Sequence, residues 1–560
     1  MGSRLAGVAA FFVLLLALTV AQSASAAISS SGSVSPSPPQ TAGADPVIGV
    51  NDLGRFTITP SSVVNSDVAT IGSQLTGIGY AVVSGFDTAT GSAAVWNTNN
   101  LIVGNLGTGT LEILNGALVT VDFGGNPGSG DLTIGLNPDS VGTVVVSGRG
   151  SLLRIGDDTF IGHNPGGPAA GSGTLIIEDE GFVIATNDAA TGTDAITLGL
   201  HGRIELAGGR LRSEVISNNG TIVGHGRIDN EQTISNLING HVGVGAGERL
   251  VINGGTTGNL GFDNDGEVSV VGGELEFLQQ FTNSNQAAAL TLLNGVVHFP
   301  IPTTGFGFDS TGGVLASTGG VNDIFGSVRI QGASSRIVVA GESTAVFHEP
   351  VTNSGSTIEV FPGSTAVYLQ GLTTTGSGSA LTVHLADPDE DPDFGSVEVS
   401  GGAVLDGTLQ VQLAGGFVPS VGDSFQILTA AGGRTGTFTS EILPPLSSGL
   451  DWELQYTPTS VVLSVISTVL PGDYNGNGIV DAADYVIWRK TDGSQAGYDE
   501  WRTNFGRTAG SGSGAIGGAP SGSSAAVPEP AGVVMVLGAL LAAVVRRWRA
   551  DGPGCSFSPL

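Results

Sequence analysis

Short runs of apolar and β-branched residues recur along the middle of the chain, each bounded by glycine, asparagine or aspartate. Leu101-Ile102-Val103-Gly104 is followed by Gly109-Thr110-Leu111-Glu112-Ile113, and the same two-part pattern returns at 132–146 and at 159–177. The copies of the Gly-Thr step begin 33 and then 31 residues apart. A period of this size indicates a repeat architecture.

No copy carries an apolar period of about 3.6 residues that is long enough for a helix, so the unit is predicted to be strands joined by tight turns. One such coil cannot cover its own apolar face, whereas stacked coils share a continuous core with backbones about 4.8 Å apart. Looser copies follow at 220–228, 265–270 and 355–360. The pattern predicts an all-β fold, a right-handed parallel β-helix (β-solenoid) over residues 45–378.

The texture of the sequence changes near residue 379. The runs Leu-Gln-Val-Gln-Leu at 409–413 and Trp-Glu-Leu-Gln-Tyr at 452–456 alternate apolar and polar residues. This alternation is typical of strands with one wet and one dry face. We therefore predict a small antiparallel β module over residues 379–467 that caps the open end of the solenoid.

Composition and charge narrow the function classes. The chain has 560 residues, with 19 lysines and arginines against 49 aspartates and glutamates, and Lys490 is its one lysine. At a net charge of −30, a basic face that follows phosphates is not expected, and nucleic acid is excluded as a partner. The one cysteine, Cys555, excludes an internal disulfide and a thiolate metal site.

The N-terminus is predicted to be a targeting segment. Residues 1–26 combine Arg4 with an apolar run and the small-residue signature Ala24-Ser25-Ala26, which indicates a cleaved signal peptide. Near the other end, a tract of glycine, serine and alanine at 508–526 is typical of a flexible linker.

The segment at 527–549 has three parts in order: Pro528-Glu529-Pro530, an apolar helix predicted for 531–545, and an arginine cluster at 546–549. The helix spans only about 22 Å, short of a hydrocarbon core of roughly 30 Å, so we expect transient anchoring in the inner membrane. The three parts resemble the PEP-CTERM sorting signal of bacterial envelope proteins. The resemblance implies an exosortase-type processing enzyme as partner and delivery to the cell surface, outer envelope or extracellular space; a plain C-terminal anchor is the alternative.

One segment carries a motif with ligand chemistry. Between residues 473 and 484, oxygen side chains occupy loop positions 1, 3, 5, 9 and 12, and glycine occupies position 6. Calcium takes about six to eight oxygens, and this spacing curls one short loop around the ion. The predicted ligands are the side chains of Asp473, Asn475, Asn477 and Asp484, the backbone carbonyl of Ile479 and, through a water, Asp481. We predict one Ca²⁺ site and a helix over 482–490; a surface turn rich in asparagine and glycine is the alternative.

The segment 468–507 resembles a type I dockerin, with aspartate at loop position 12 where an EF-hand sensor has glutamate. The helix motif at 484–489 is echoed at 497–502. Dockerins carry two loop-helix units, so the resemblance implies that the second helix is kept while its calcium loop is missing. Loop positions 10 and 11, which often bear hydroxyl residues in cohesin-binding dockerins, are both alanine here, which makes cohesin binding doubtful.

An enzyme on a β-helix scaffold is the serious rival function. A glycosidase needs two carboxylates about 5–9.5 Å apart across a cleft. The candidates are Asp157 with Asp158, Glu178 with Asp179 and Glu180, and the acidic run at 387–393. Turn and strand-end positions favour solvated charge for the first two groups. A cleft would most readily break the repeat at 162–199, an interval that also holds Asp188 and Asp194.

The Gly-Thr repeat resembles the passenger regions of autotransporter-type and filamentous surface proteins. The resemblance implies a β-solenoid displayed outside the cell. We therefore predict an exported surface or matrix protein that is structural or adhesive and not an enzyme, with extracellular polysaccharide or other surface proteins as partners. A secreted polysaccharide lyase or glycosidase is the alternative.

Overall fold

The computed structural model describes residues 27–35, 45–122, 130–167, 169–186, 195–255, 261–388 and 393–508. They belong to two compact units, Met1–Thr468 and Val469–Leu560. The predicted signal peptide at 1–26, the sorting segment at 527–549 with its single helix, and all but the first residue of the linker at 508–526 lie outside the described residues. Within the described ranges, no helix is long and apolar enough to cross a membrane.

Coils of three short strands build the first unit, and equivalent strands of successive coils pair in parallel. The predicted all-β parallel solenoid is confirmed. The three ladders are called here the first, second and third faces. The first face contains Leu53–Ile58, Ile78–Ser84, Thr108–Leu114, Val141–Ser147, Ser172–Glu178, the first halves of Gly202–Ser213 and Thr221–Asn230, His241–Val244, Glu267–Val271, Ala289–Leu293, Gly313–Ser317, Ser335–Val339, Thr357–Val360, Ala380–Leu385, Thr408–Leu413 and Ser440–Ile442.

The other two faces follow the same rule. The second face contains the first halves of Val63–Ile71 and Val95–Val103, Leu118–Val121, Leu152–Ile155, Phe182–Ala185, the second halves of Gly202–Ser213 and Thr221–Asn230, Arg249–Asn253, Glu274–Phe277, Val296–His298, Val321–Phe325, Thr344–Phe347, Thr365–Tyr368, Ser396–Val399 and Ser424–Ala430. The third face contains Val47–Ile48, the second halves of Val63–Ile71 and Val95–Val103, Leu132–Ile134, Thr159–Ile161, Ala195–Leu198, Val215–Asn218, Ile234–Asn236, Phe262–Asn264, Phe281–Asn283, Phe308–Ser310, Val328–Gln331, Val351–Ser354, Gly371–Thr375, Gly402–Leu405 and Arg434–Gly436.

The remaining strands pair antiparallel. Ile28–Gly32 lies against Leu53–Ile58, and Val34–Ser35 lies against Val47–Ile48. Phe86–Asp87 forms a short hairpin with Ser92–Ala93. At the far end, Ser460–Ser467 pairs with both Leu450–Tyr456 and Ser424–Ala430.

The sequence repeat is the register of the stack. Gly109 pairs with Gly142, and Gly142 pairs with Gly173, on the first face. Gly104 directly follows the third-face strand that ends at Val103, and its φ is +76°. A Cβ built on Gly109 would lie 2.4 Å from the backbone nitrogen of Gly104. Because a side chain cannot fit where the chain turns and approaches itself this closely, glycine recurs at both positions of the motif.

One continuous cluster of buried apolar side chains runs from Val34 to Val465. It arises because each strand alternates inward and outward residues: in Thr108–Leu114, for example, Leu111 and Ile113 are fully buried while their neighbours are at least partly exposed. Each such Leu or Ile contributes about 1.5–3 kcal/mol when it is buried.

Buried asparagines from successive coils form a row within this apolar interior, each at the C-terminal end of a third-face strand. Asn218 Nδ2 donates to Asn236 Oδ1 at 2.7 Å, Asn236 Nδ2 donates to Asn264 Oδ1 at 2.7 Å, and Asn264 Nδ2 donates to Asn283 Oδ1 at 2.9 Å. All four side chains are buried. Such a row stabilises the stack only when each coil lies in register with the next, because a shifted asparagine would lose its partner in a dry environment.

The structure moves the boundary predicted at residue 379. The parallel ladders continue there, with Ala380–Leu385 paired to Thr408–Leu413 and Gly402–Leu405 paired to Arg434–Gly436. Antiparallel pairing at this end is confined to the three strands within 424–467. Parallel and antiparallel strands with one buried side share the same alternation of residues, so the pattern could not distinguish them.

The described part of the second unit, residues 469–508, contains two helices, α1 (Ala482–Thr491) and α2 (Gln495–Asn504). They correspond to the helix predicted at 482–490 and to its echo. Asp481 caps the N-terminus of α1, and the Ser494 hydroxyl accepts a hydrogen bond from Gly497 N at 3.0 Å to cap α2. Only a short turn at 492–494 separates the helices, so a second calcium loop does not fit between them.

Replacing Asn264 by alanine is expected to lower the free energy of unfolding by about 1–3 kcal/mol. The reason is that the side-chain carbonyl of Asn283 would lose its donor, Asn264 Nδ2, inside the core. The control is Asn239→Ala, which breaks an exposed Asn–Asn hydrogen bond of 3.1 Å to Asn219 and should change stability by less than about 0.5 kcal/mol. Denaturant midpoints of the two variants measure the difference. Equal midpoints would show that the buried row does not stabilise the stack.

Candidate functional site

Backbone N–H groups of the predicted calcium loop donate hydrogen bonds to the carboxylate of Asp473. Its Oδ1 accepts a hydrogen bond from Asn477 N at 3.1 Å, and its Oδ2 accepts one from Gly478 N at 2.7 Å. The side-chain oxygens of Asn475 and Asn477 accept from the amides two residues further on, each at 2.9 Å. The first three predicted side-chain ligands are therefore oriented by backbone N–H groups of the same loop.

Asp484 closes the loop from the first turn of α1. It is fully buried, and its Oδ1 and Oδ2 accept hydrogen bonds from Asn475 N at 2.9 Å and Asp481 N at 2.7 Å. Asp481 itself accepts from Ala483 N at 2.7 Å as the helix cap. Asp481 thus has a capping role in addition to the water-mediated role predicted for it.

The donor set of this loop fits a hard cation. It offers carboxylate and amide oxygens together with the Ile479 backbone, which are the ligands that Ca²⁺ prefers. Within the described part of the chain, no basic side chain forms an ion pair with Asp473, Asp481 or Asp484. A buried carboxylate without a basic partner is costly, so a cation is the natural complement of Asp484.

A second acidic site lies in the solenoid, at the corner between the second and third faces. Asp157 and Asp158 connect Leu152–Ile155 to Thr159–Ile161, and Asp131 precedes the equivalent strand of the neighbouring coil. One carboxylate oxygen from each of the three aspartates lies within 4.8 Å of the others. We name Asp131, Asp157 and Asp158 the acidic corner.

Burial and repulsion from neighbouring carboxylates raise the pKa values of two of these groups, Asp131 and Asp157. Burial, followed by the charges of Asp157 and Asp158, raises the pKa of Asp131 to about 6. Burial also raises the pKa of Asp157, with further contributions from Asp158 and Asp122. The Oδ1 of Asp122 is buried beside this corner and has no hydrogen-bond partner among the described residues. The corner is therefore partly desolvated, whereas the sequence predicted solvated charge for Asp157 and Asp158.

Asp131 was not among the residues predicted from the sequence. Register could have found it: Leu132 pairs with Thr159, so Asp131 and Asp158 occupy equivalent positions one repeat apart. One oxygen from each carboxylate lies within 4.8 Å of the others, which is near the lower end of the separation of about 5–9.5 Å between the two carboxyl groups of a glycosidase.

Among the described residues, Glu178, Asp179 and Glu180 do not form such a cluster. Asp179 and Glu180 have φ values of +49° and +65° in the turn after Ser172–Glu178, and Glu180 lies 3.8 Å from Arg149 in an exposed ion pair. This agrees with the solvated charge predicted there. In the run at 387–393 only its first two and last residues are described, and Asp188 and Asp194 lie outside the described residues.

The interval at 162–199 does contribute to a depression, of about 380 Å³. Its described lining includes His163, Asn164, His201 and Asn219 but no aspartate or glutamate. The depression therefore has no carboxylate pair among its described lining residues, and Glu178, Asp179 and Glu180 of the same interval do not line it.

Comparisons with known proteins add little to this geometry. No family model matches the chain, and no curated protein matches it. The crystal structure of a TibC-catalysed, hyper-glycosylated TibA fragment is matched at 13% identity over 65% of this chain and 91% of that one, with a TM-score of 0.28. The crystal structure of the Haemophilus influenzae Hap adhesin is matched at 9% identity over 73% of this chain and 57% of that one, with a TM-score of 0.23. At such TM-scores neither likeness carries an argument, and the fold rests on the strand pairing described above.

The raised pKa of Asp131 predicts a pH dependence of stability. A carboxyl group whose pKa is higher in the folded than in the unfolded chain destabilises the fold above its folded pKa, and this effect disappears as the pH falls through about 6 towards 4. Asp131→Asn should therefore raise the unfolding midpoint at pH 7.5 and leave it nearly unchanged at pH 4. Midpoints measured at several pH values, with a chelator present, test this.

The control for this pH series is Asp52→Asn, which alters an exposed aspartate and should produce no pH-dependent difference. An Asp131→Asn variant that is less stable than the unaltered chain at pH 7.5 would contradict the assignment.

Proposed function

We propose that this chain is an exported protein of the bacterial cell surface or extracellular matrix, with a structural or adhesive role and one calcium-stabilised dockerin-like module. The observation that carries the proposal is the continuity of the first unit, in which parallel ladders and one apolar core persist from coil to coil. Among the described catalytic candidates, Asp179 and Glu180 lie in a turn, where Glu180 forms an exposed ion pair with Arg149, and Asp157 and Asp158 lie at a corner of the regular stack. A long, regular stack of this kind is suited to display and contact.

The arginines of the solenoid support a structural role because several of them tie neighbouring coils together. Arg210 lies 2.7 Å from Asp229, and Arg249 lies 2.9 Å from Glu274. Burial acts to raise the pKa of Asp229, but hydrogen bonds from Arg227 and Arg210 lower it overall. A polysaccharide lyase needs a free basic group beside its acids, and arginines held in ion pairs do not supply one.

Calcium binding is proposed for the loop of the second unit. Asp473, Asn475, Asn477 and Asp484 would hold the ion through their side chains, Ile479 through its backbone carbonyl and Asp481 through a water. Calcium would neutralise the loop carboxylates and hold α1 against the loop. The ion's role here is structural: it would order a short module that has little apolar core of its own.

Export and sorting are proposed from the ends of the chain, which lie outside the described residues. The segment at 1–26 would direct export. The segment at 527–549 would anchor the chain transiently in the inner membrane until an exosortase-type enzyme removes it. The net charge of −30 suits extracellular polysaccharide or other surface proteins as partners, with divalent cations bridging acidic groups.

Calorimetric titration of the mature chain with calcium is expected to show one tight binding phase that Asp484→Ala abolishes, because that variant removes the buried carboxylate that would hold the ion at loop position 12. The matched control is Asp499→Ala, which removes an exposed carboxylate from α2 of the same module and should leave the phase unchanged. A titration in which Asp484→Ala and the unaltered chain behave alike would reject the loop as a calcium site.

The enzyme alternative has one observation in its favour, the raised pKa of Asp131 beside Asp157 and Asp158. We expect the purified mature protein to release no reducing ends and no unsaturated products from acidic or neutral polysaccharides. Reducing-sugar assays and the ultraviolet absorbance of unsaturated products would detect either product. Turnover that disappears in Asp131→Asn, or in alanine variants of Glu178, Asp179 or Glu180, would establish an enzyme instead of a scaffold.

A further inference from the structure

Ile479 and Val480 of the proposed calcium loop pair with a backbone segment that the sequence did not indicate. Val480, at loop position 8, is fully buried, and its N–H donates to Arg507 O at 2.9 Å while its carbonyl accepts from Gly506 N at 2.8 Å. An antiparallel bridge joins Ile479 to Thr508 next to it. We call residues 506–508 the closing segment.

The second helix contacts the same part of the loop through one side chain. The indole Nε1 of Trp501 donates to the backbone carbonyl of Asp481 at 2.7 Å. Asp481 stands at loop position 9 and caps α1. The hydrogen bond therefore fixes the peptide that connects the loop to the helix carrying Asp484, the last predicted ligand.

Aromatic packing holds Trp501 in place. Its ring centroid lies 5.1 Å from that of Tyr485 on α1, 5.7 Å from that of Tyr498, and 5.1 Å from that of Phe505. On the entry side of the loop, a Cβ built on Gly472 would lie 2.8 Å from the Trp501 Cα. Trp501 is thus enclosed by both helices and by the chain that enters the loop.

These contacts give the degenerate half of the module a specific role. We infer that α2 and the closing segment replace the missing second calcium loop as the support of the first, and that Trp501 is the residue that positions loop position 9 for ion binding. The inference rests on the proposed calcium site. A strand pairing for position 8 and a fixed carbonyl at position 9 preorganise the loop, and preorganisation reduces the cost of ordering the ligands on binding.

The chain offers a matched pair of variants for the test. Trp501→Phe removes the N–H that reaches the loop, whereas Trp488→Phe removes an indole N–H from the same aromatic cluster that donates to Ser494 O, between the helices, at 3.1 Å. The experiment measures calcium affinity of the mature chain by calorimetry, using the phase that Asp484→Ala abolishes. Since a hydrogen bond contributes about 0.5–1.5 kcal/mol, Trp501→Phe should weaken calcium binding roughly two- to tenfold, and Trp488→Phe less than twofold.

A second pair of variants tests whether the effect of the tryptophan variants comes from a packing defect. Gly506 and Gly493 both have positive φ, +86° and +62°, so an alanine strains either position, but only Gly506 donates to Val480. Gly506→Ala should weaken calcium binding at least threefold more than Gly493→Ala. Far-UV circular dichroism of each variant checks that α1 and α2 still form.

The outcomes separate the two proposals. If the unaltered chain lacks the phase that Asp484→Ala should remove, the calcium site is wrong and so is its support. If the unaltered chain binds calcium and the members of both pairs bind it equally, the site stands and the supporting role of Trp501 and the closing segment is rejected. Selective weakening in Trp501→Phe and Gly506→Ala supports the inference.

Discussion

Most of the first unit depends on one constraint, which is that a flat coil of three strands has no interior of its own. Its apolar side chains are removed from water only when another coil lies above and below, at the spacing that backbone hydrogen bonds set. The close approach of Gly104 to Gly109, the alternation within each strand and the buried asparagine row all follow from this constraint. Coil length can vary, because extra residues are accommodated in the turns while the strands stay in register.

Stacking also decides which chemistry can arise. Residues at equivalent positions of successive coils lie side by side whatever their separation in the sequence, so like charges can be forced together. Asp131 and Asp158 are such a pair, and burial together with this repulsion raises the pKa of Asp131 to about 6. Where arginine and a carboxylate take equivalent positions instead, as Arg210 and Asp229 do, the same geometry gives an ion pair between coils. The surface of the solenoid is therefore a consequence of register.

The second unit is held together in a different way. Its described residues include few buried apolar side chains, and its loop gathers acidic groups around the buried carboxylate of Asp484. Local backbone hydrogen bonds, the cap at Asp481 and the indole of Trp501 hold this arrangement. The proposed ion would supply the positive charge that the loop itself does not contain. The loop and α2 would then depend on each other, although only the loop resembles a binding motif.

The sequence by itself determined the parallel stack, the repeat register at Gly109, Gly142 and Gly173, and the two helices after residue 481. These features are local: periodicity, turn residues and helix caps act over a few residues, so they can be read along the chain. The calcium ligands were also predicted from spacing within one loop, and they stay a prediction.

Only the tertiary structure decided the rest. The limit of the parallel ladders beyond residue 378 depends on which strand neighbours which, and a strand with one buried side carries the same pattern in either orientation. The acidic corner joins side chains from two coils, and the contact of Trp501 with Asp481 joins residues 20 apart. Contacts outside the repeat, such as that between Trp501 and Asp481, leave no periodic trace in the sequence, because each depends on a partner whose position is fixed only when the chain has folded.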